Sequence, residues 1–139
     1  MTPTTLRRAA AVAGALAVLA VLPAAPASAE TSCWIEYRIT TLWTDPTSHA
    51  ARFLGEFTVH NGGDTPLTGW TVTATWLGIN QIDQAYNASM SGVPSTYTFT
   101  DAGWNGGLAP GATATFGVFG TRPSIYSSAM PSLRRCTPA

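Results

Sequence analysis

Five stretches of this chain alternate apolar and polar side chains with a period of two. Ile35, Tyr37 and Ile39 alternate with Glu36 and Arg38, and Phe53, Gly55, Phe57 and Val59 alternate with Glu56, Thr58 and His60. Trp70, Val72, Ala74 and Trp76 alternate with Thr71, Thr73 and Thr75. Tyr97 and Phe99 alternate with three threonines, and Ala114, Phe116 and Val118 alternate with Thr113, Thr115 and Gly117. A period of two sends successive side chains to opposite faces of a strand. Turn signals punctuate the runs at Asp45-Pro46, Asn61-Gly62-Gly63-Asp64, Asn105-Gly106-Gly107 and Pro110-Gly111. Each strand therefore has one face to bury. Two antiparallel sheets packed on those faces bury them all, so the expected fold is an all-β sandwich.

The first 29 residues read as a secretory leader rather than as part of that sandwich. Arg7 and Arg8 form a basic start, Ala9 to Leu22 is a short alanine-rich apolar stretch, and Ala27-Ser28-Ala29 is an A-x-A cleavage site. The expected product begins near Glu30, is secreted, and has no membrane association after cleavage, because no second apolar stretch is long enough to span. Residues 30–139 fit one small domain without an internal linker or repeat.

From residue 30 onward, five arginines face seven carboxylates, a net of −2 without any lysine. Such a chain is poorly equipped to neutralise a row of phosphates, so nucleic acid is excluded as a partner and a neutral ligand is favoured. The two cysteines, Cys33 and Cys136, lie near the ends of the exported part, where an oxidising compartment favours their pairing. A bridge closing about 100 residues contributes up to ~4.7 kcal/mol in the chain-entropy model.

Trp70 sits inside an alternating run and is expected in the core, as are Trp76, Tyr37, Phe57, Tyr97, Phe99 and Phe116. Trp34 is out of phase with Ile35, Tyr37 and Ile39, so it either faces outward or covers the disulfide. Trp43, Tyr86 and Trp104 differ from all of these. Thr-Asp-Pro, Asn and Asn-Gly-Gly follow them, so each belongs to a strand end or a turn on the surface. Single exposed apolar residues are ordinary. Three exposed rings in a weakly charged secreted sandwich point to a sugar, whose axial C–H groups stack on a π-face. Gln84 and Asn105 are amides beside these rings, suited to equatorial hydroxyls.

These residues resemble carbohydrate-binding module family 2, the bacterial cellulose-binding type. The similarity runs from Cys33 to Cys136 through Cys33-x-Ile35-x-Tyr37, Trp43, Phe57-Thr-Val59-His-Asn61 and Pro66-Leu-Thr-Gly69-Trp70-Thr-Val72. It continues through Gln84-Ala-Tyr86-Asn87, Trp104-Asn-Gly106, Pro110-Gly111, Phe116-Gly117 and Leu133. The resemblance implies a Greek-key, jelly-roll-like sandwich closed by a disulfide between its ends. It also implies an aromatic strip of Trp43, Tyr86 and Trp104, with Gln84 and Asn105 as polar helpers. The chain departs from the family pattern in having Tyr86 where tryptophan is usual. It also has a longer loop from Thr44 to Arg52, which would tilt or partly cover Trp43.

Catalysis has little to rest on. A glycosidase needs two carboxylates roughly 5 to 9.5 Å apart across a cleft. Glu36 and Glu56 lie on polar strand faces, and Asp83 and Asp101 border turns. His49 and His60 are the only histidines, too few for a metal site without cysteine or acidic partners. No cofactor is expected. The expected function is a monomeric, non-catalytic module binding insoluble β-linked polysaccharide, cellulose first and chitin second. The alternatives are a surface interaction sandwich without sugar binding and, more distantly, a fragment or accessory of a glycoside hydrolase.

Overall fold

The computed structural model describes residues 14, 20–25, 28–79 and 81–139. Arg7, Arg8 and most of the apolar stretch of the expected leader lie outside the described residues. Eight strands follow: β1 (Cys33–Thr44), β2 (Ala51–Asn61), β3 (Trp70–Thr75), β4 (Gln81–Tyr86), β5 (Ala88–Val93), β6 (Thr96–Asp101), β7 (Thr113–Arg122) and β8 (Leu133–Pro138). They form two four-stranded antiparallel sheets, β1-β2-β7-β4 and β5-β6-β3-β8. The expected all-β sandwich is therefore present. Its non-sequential neighbours β2–β7 and β3–β8 come from the long return connections of a Greek key.

All five alternating runs of the sequence are strands. Phe53, Phe57 and Val59 of β2, Trp70, Val72 and Ala74 of β3, and Phe116 and Val118 of β7 turn inward and are buried. Phe116 holds the centre of the core: its ring stacks on Phe57 at 4.8 Å and on Trp70 at 5.2 Å between centroids. Trp76 is buried just past the end of β3. The polar tips of these large rings are all satisfied, as burial demands. Trp70 Nε1–H donates to the Asn105 carbonyl at 3.0 Å, and Trp76 Nε1–H to the Ala129 carbonyl at 3.0 Å. Tyr97 Oη accepts the Ile82 N–H at 3.0 Å.

Two glycines make room for aromatic rings that cross the inner face. A Cβ on Gly55 would lie 2.1 Å from Tyr37 Oη, and one on Gly120 would lie 2.5 Å from the ring of Phe53. Tyr37 cannot simply move away, because its hydroxyl donates to the Ala129 carbonyl at 2.9 Å. Burial pushes the pKa of that hydroxyl up, so it remains a neutral donor. Gly55→Ala should therefore overpack the core and cost about 1–3 kcal/mol, read as a lower urea midpoint at unchanged slope.

The sandwich is closed at both of its open edges. On one edge the Cys33–Cys136 disulfide joins β1 to β8, with Cα atoms 5.7 Å apart. On the other, Asn87 carries the chain from β4 directly into β5 in a left-handed conformation (φ 60°) that asparagine tolerates better than most residues.

Candidate functional site

Residues paired across neighbouring strands share a face, so the register defines the outer surface of β1-β2-β7-β4. Trp43 pairs with Arg52, which pairs with Thr121. Leu54 pairs with Phe119, which pairs with Gln84, and Gly117 pairs with Tyr86. All of these residues lie outside the core, on the side opposite to Phe53, Val118 and Ile82.

The three rings expected to form the strip converge on β7. Trp43 stacks on Phe119 with centroids 5.7 Å apart and planes 19° apart. Tyr86 is 45% exposed and lies over Gly117, whose missing side chain leaves its ring 3.6 Å from where a Cβ would stand. Trp104 is 74% exposed and borders a shallow depression with Asn87, Thr113 and Thr115. Phe119, Gly117 and Thr115 are alternate residues of one strand, and each two-residue step advances about 7 Å. The rings thus follow one another along the outer face of β7.

Trp43 is half-buried, and one ring packed against it comes from β7. The loop after β1 closes on itself. The Asp45 N–H donates to the Ala50 carbonyl, and Asp45 Oδ1 accepts the Thr47 and Ser48 N–H groups at 2.9 and 2.7 Å. These bonds, Ser48 first, hold the Asp45 carboxyl below its usual pKa. Their support is full above the ordinary aspartate range and is lost only as pH falls through the depressed value. The ring found against Trp43 is Phe119, whose outward phase after buried Val118 identifies it as a strip residue that sequence reasoning passed over. Arg52 holds the same corner: its guanidinium lies 5.4 Å from the Phe119 centroid, and its Nη1 donates to Asp83 Oδ2 at 3.2 Å and to Thr121 Oγ1 at 2.6 Å.

The two amides separate. Gln84 is exposed beside Tyr86, whose hydroxyl donates to Gln84 Oε1 at 3.3 Å. Asn105, the other amide expected to help at a sugar, lines the depression beside Trp104 but is only 8% exposed. Its Nδ2 donates to the Asn87 carbonyl at 2.8 Å, and its Oδ1 accepts the Ala102 N–H at 2.7 Å. A buried amide must spend its polar groups on the protein, so Asn105 builds the loop that presents Trp104. Asp101 helps, accepting the Gly103 and Trp70 N–H groups at 2.9 and 3.2 Å. Asn105→Ala should cost about 1–3 kcal/mol of stability and weaken polysaccharide binding through a displaced Trp104. Thermal melts and binding isotherms of the same preparation would show both effects.

Both arginines on this face are paired with carboxylates, and His60 contacts Glu36. Arg38 is 2.6 Å from Glu56, Arg52 is 3.2 Å from Asp83, and His60 Nε2 is 3.2 Å from Glu36 Oε2. The candidate carboxylates are thus engaged in separate contacts, Asp101 with backbone. No cluster of three or more metal-ligating side chains occurs among the described residues.

A stapled sandwich that lays aromatic rings along the uncharged outer face of one strand is the architecture of a carbohydrate-binding module. Residues 33–135 match the cellulose binding domain family, and the chain belongs to that family. It is similar to Chitinase 63 of Streptomyces plicatus, 37% identical over 122 residues, which cover 83% of this chain and 19% of that protein. It is also similar to Endoglucanase CelA of Streptomyces lividans, 36% identical over 104 residues, covering 74% of this chain and 21% of the other. The chain spans about a fifth of the length of these relatives. Among solved structures, the chitin-binding domain of Chi18aC from Streptomyces coelicolor aligns with a TM-score of 0.59 at 30% identity, over 77% of this chain and 91% of that domain.

Proposed function

We propose that this chain is a secreted, non-catalytic module that binds insoluble β-linked polysaccharide, cellulose or chitin, through Trp43, Phe119, Tyr86 and Trp104. The observation that carries the reading is the succession of these rings along β7 on a face whose two arginines are paired with carboxylates. A row of rings matches an extended glycan: each sugar ring offers an apolar face, and several weak stacks act together. Gln84 adds an uncharged hydrogen-bonding group beside Tyr86. The similar chitinases and the chitin-binding domain give chitin a weight at least equal to that of cellulose.

The folded module begins near Glu30 in this reading. Glu30 N donates to Asp64 Oδ1 at 2.7 Å, and its carbonyl accepts the Asp64 N–H at 3.1 Å, which supports a boundary there. The module acts as a monomer and stays outside the cell.

Co-sedimentation with microcrystalline cellulose and with crystalline chitin tests the proposal. The protein should leave the supernatant with at least one of them. Full recovery in the supernatant with both would refute it and favour an interaction sandwich without a sugar site.

A further inference from the structure

We propose that Trp34 is a further sugar platform beside these four rings, one that engages a neighbouring chain of a polysaccharide surface rather than the chain lying along β7. The proposal rests on the polysaccharide reading above. Trp34 pairs with His60, and His60 pairs with Thr113, so Trp34 occupies the same outer face as the strip. Trp34 and Trp43 both belong to β1, two strands or roughly 10 Å from β7, but Trp43 stacks on Phe119 of β7 whereas Trp34 stacks on His60 of β2, to the side of the aromatic line. A single extended chain over β7 does not reach Trp34. A flat surface with chains side by side does.

The indole is built as a platform. It stacks on His60 with centroids 3.6 Å apart and planes only 5° apart. His60 is itself steadied by Glu36, 3.2 Å from its Nε2. Gly62 leaves room at the indole edge, since a Cβ there would stand 2.9 Å from Cδ1 and 3.3 Å from Nε1. Trp34 is nonetheless 48% exposed, so much of the indole stays open to solvent despite the His60 stack. An exposed tryptophan ordinarily loses side-chain freedom on binding, and a ring already held flat loses less. The inward residues Cys33 and Ile35 carry the packing of this end of β1, which leaves the indole without a role in the core.

Isotherms of the wild type, Trp34→Ala, Trp34→Phe and Trp104→Ala on a crystalline polysaccharide and on its swollen, amorphous form test this. Trp34→Ala should weaken binding to the crystalline form about three- to tenfold and leave the amorphous form within twofold. Trp34→Phe should keep most of the affinity, and Trp104→Ala should lose binding on both forms. Melting curves matched to wild type exclude a folding defect, and if Trp34→Ala melts early the isotherms are taken at a temperature where both proteins are fully folded. A crystalline isotherm unchanged in Trp34→Ala, or an equal loss on both forms, overturns the proposal. Wild type that binds neither form overturns the polysaccharide reading itself.

Discussion

Replacing Cys33 and Cys136 together with alanine is expected to lower the melting temperature by roughly 10 to 30 °C. The bridge spans 103 residues, and a loop of that size is worth up to ~4.7 kcal/mol in the chain-entropy model. For a domain of about 100 residues each kcal/mol moves the midpoint by about 4–8 °C. The position of the bridge reinforces the effect. β1 and β8 are edge strands, each paired on one side only, and the disulfide is the covalent link between them. The loss acts mainly through the unfolded chain, so the double variant at 10 °C, well below its transition, should bind polysaccharide like wild type. A midpoint shift below about 2 °C would show that the sandwich holds this edge without the bridge.

Trp104→Ala is expected to remove most polysaccharide binding while leaving the fold intact. Its ring is the most exposed of the strip and contributes little to the core, so truncation costs little stability. Losing a stacked indole removes roughly 1.4–2.8 kcal/mol of binding, ten- to a hundredfold in affinity. Tyr86→Ala should lose less, because a phenol ring covers less sugar. Isotherms and melts of each variant separate these outcomes, and an affinity loss accompanied by an equal loss of stability would reassign Trp104 to a structural role.

The strands with a clean buried face were legible from period alone. β4, β5 and β8 were not, for a shared reason. None has a clean buried face: β5 and β8 are mostly exposed, and β4 buries only Ile82 and carries a bulge between Ile82 and Gln84 that breaks its alternation. The positions of Trp43, Tyr86 and Trp104 followed from their turn-forming neighbours. Phe119 carried a readable phase, one residue past the buried Val118, yet its meaning depends on Trp43, which approaches from two strands away. The burial of Asn105 was not legible for a physical reason: an amide beside an exposed ring looks the same in sequence whether it faces solvent or its own loop. Its direction is set by Asn87 and Trp70, distant in sequence. Trp34 showed its outward phase but not its partner His60, which only the β1–β2 register supplies.

Oxidative footprinting of the five tryptophans, free and adsorbed on the polysaccharide, tests the central claim most directly. Trp70 and Trp76 are buried and should react in neither state. Trp104, and to a smaller extent half-buried Trp43, should react in the free protein and be protected on adsorption. Trp104 oxidised as fast on the adsorbed module as in solution would contradict the account, because the glycan would then lie on some surface other than the rings of β7.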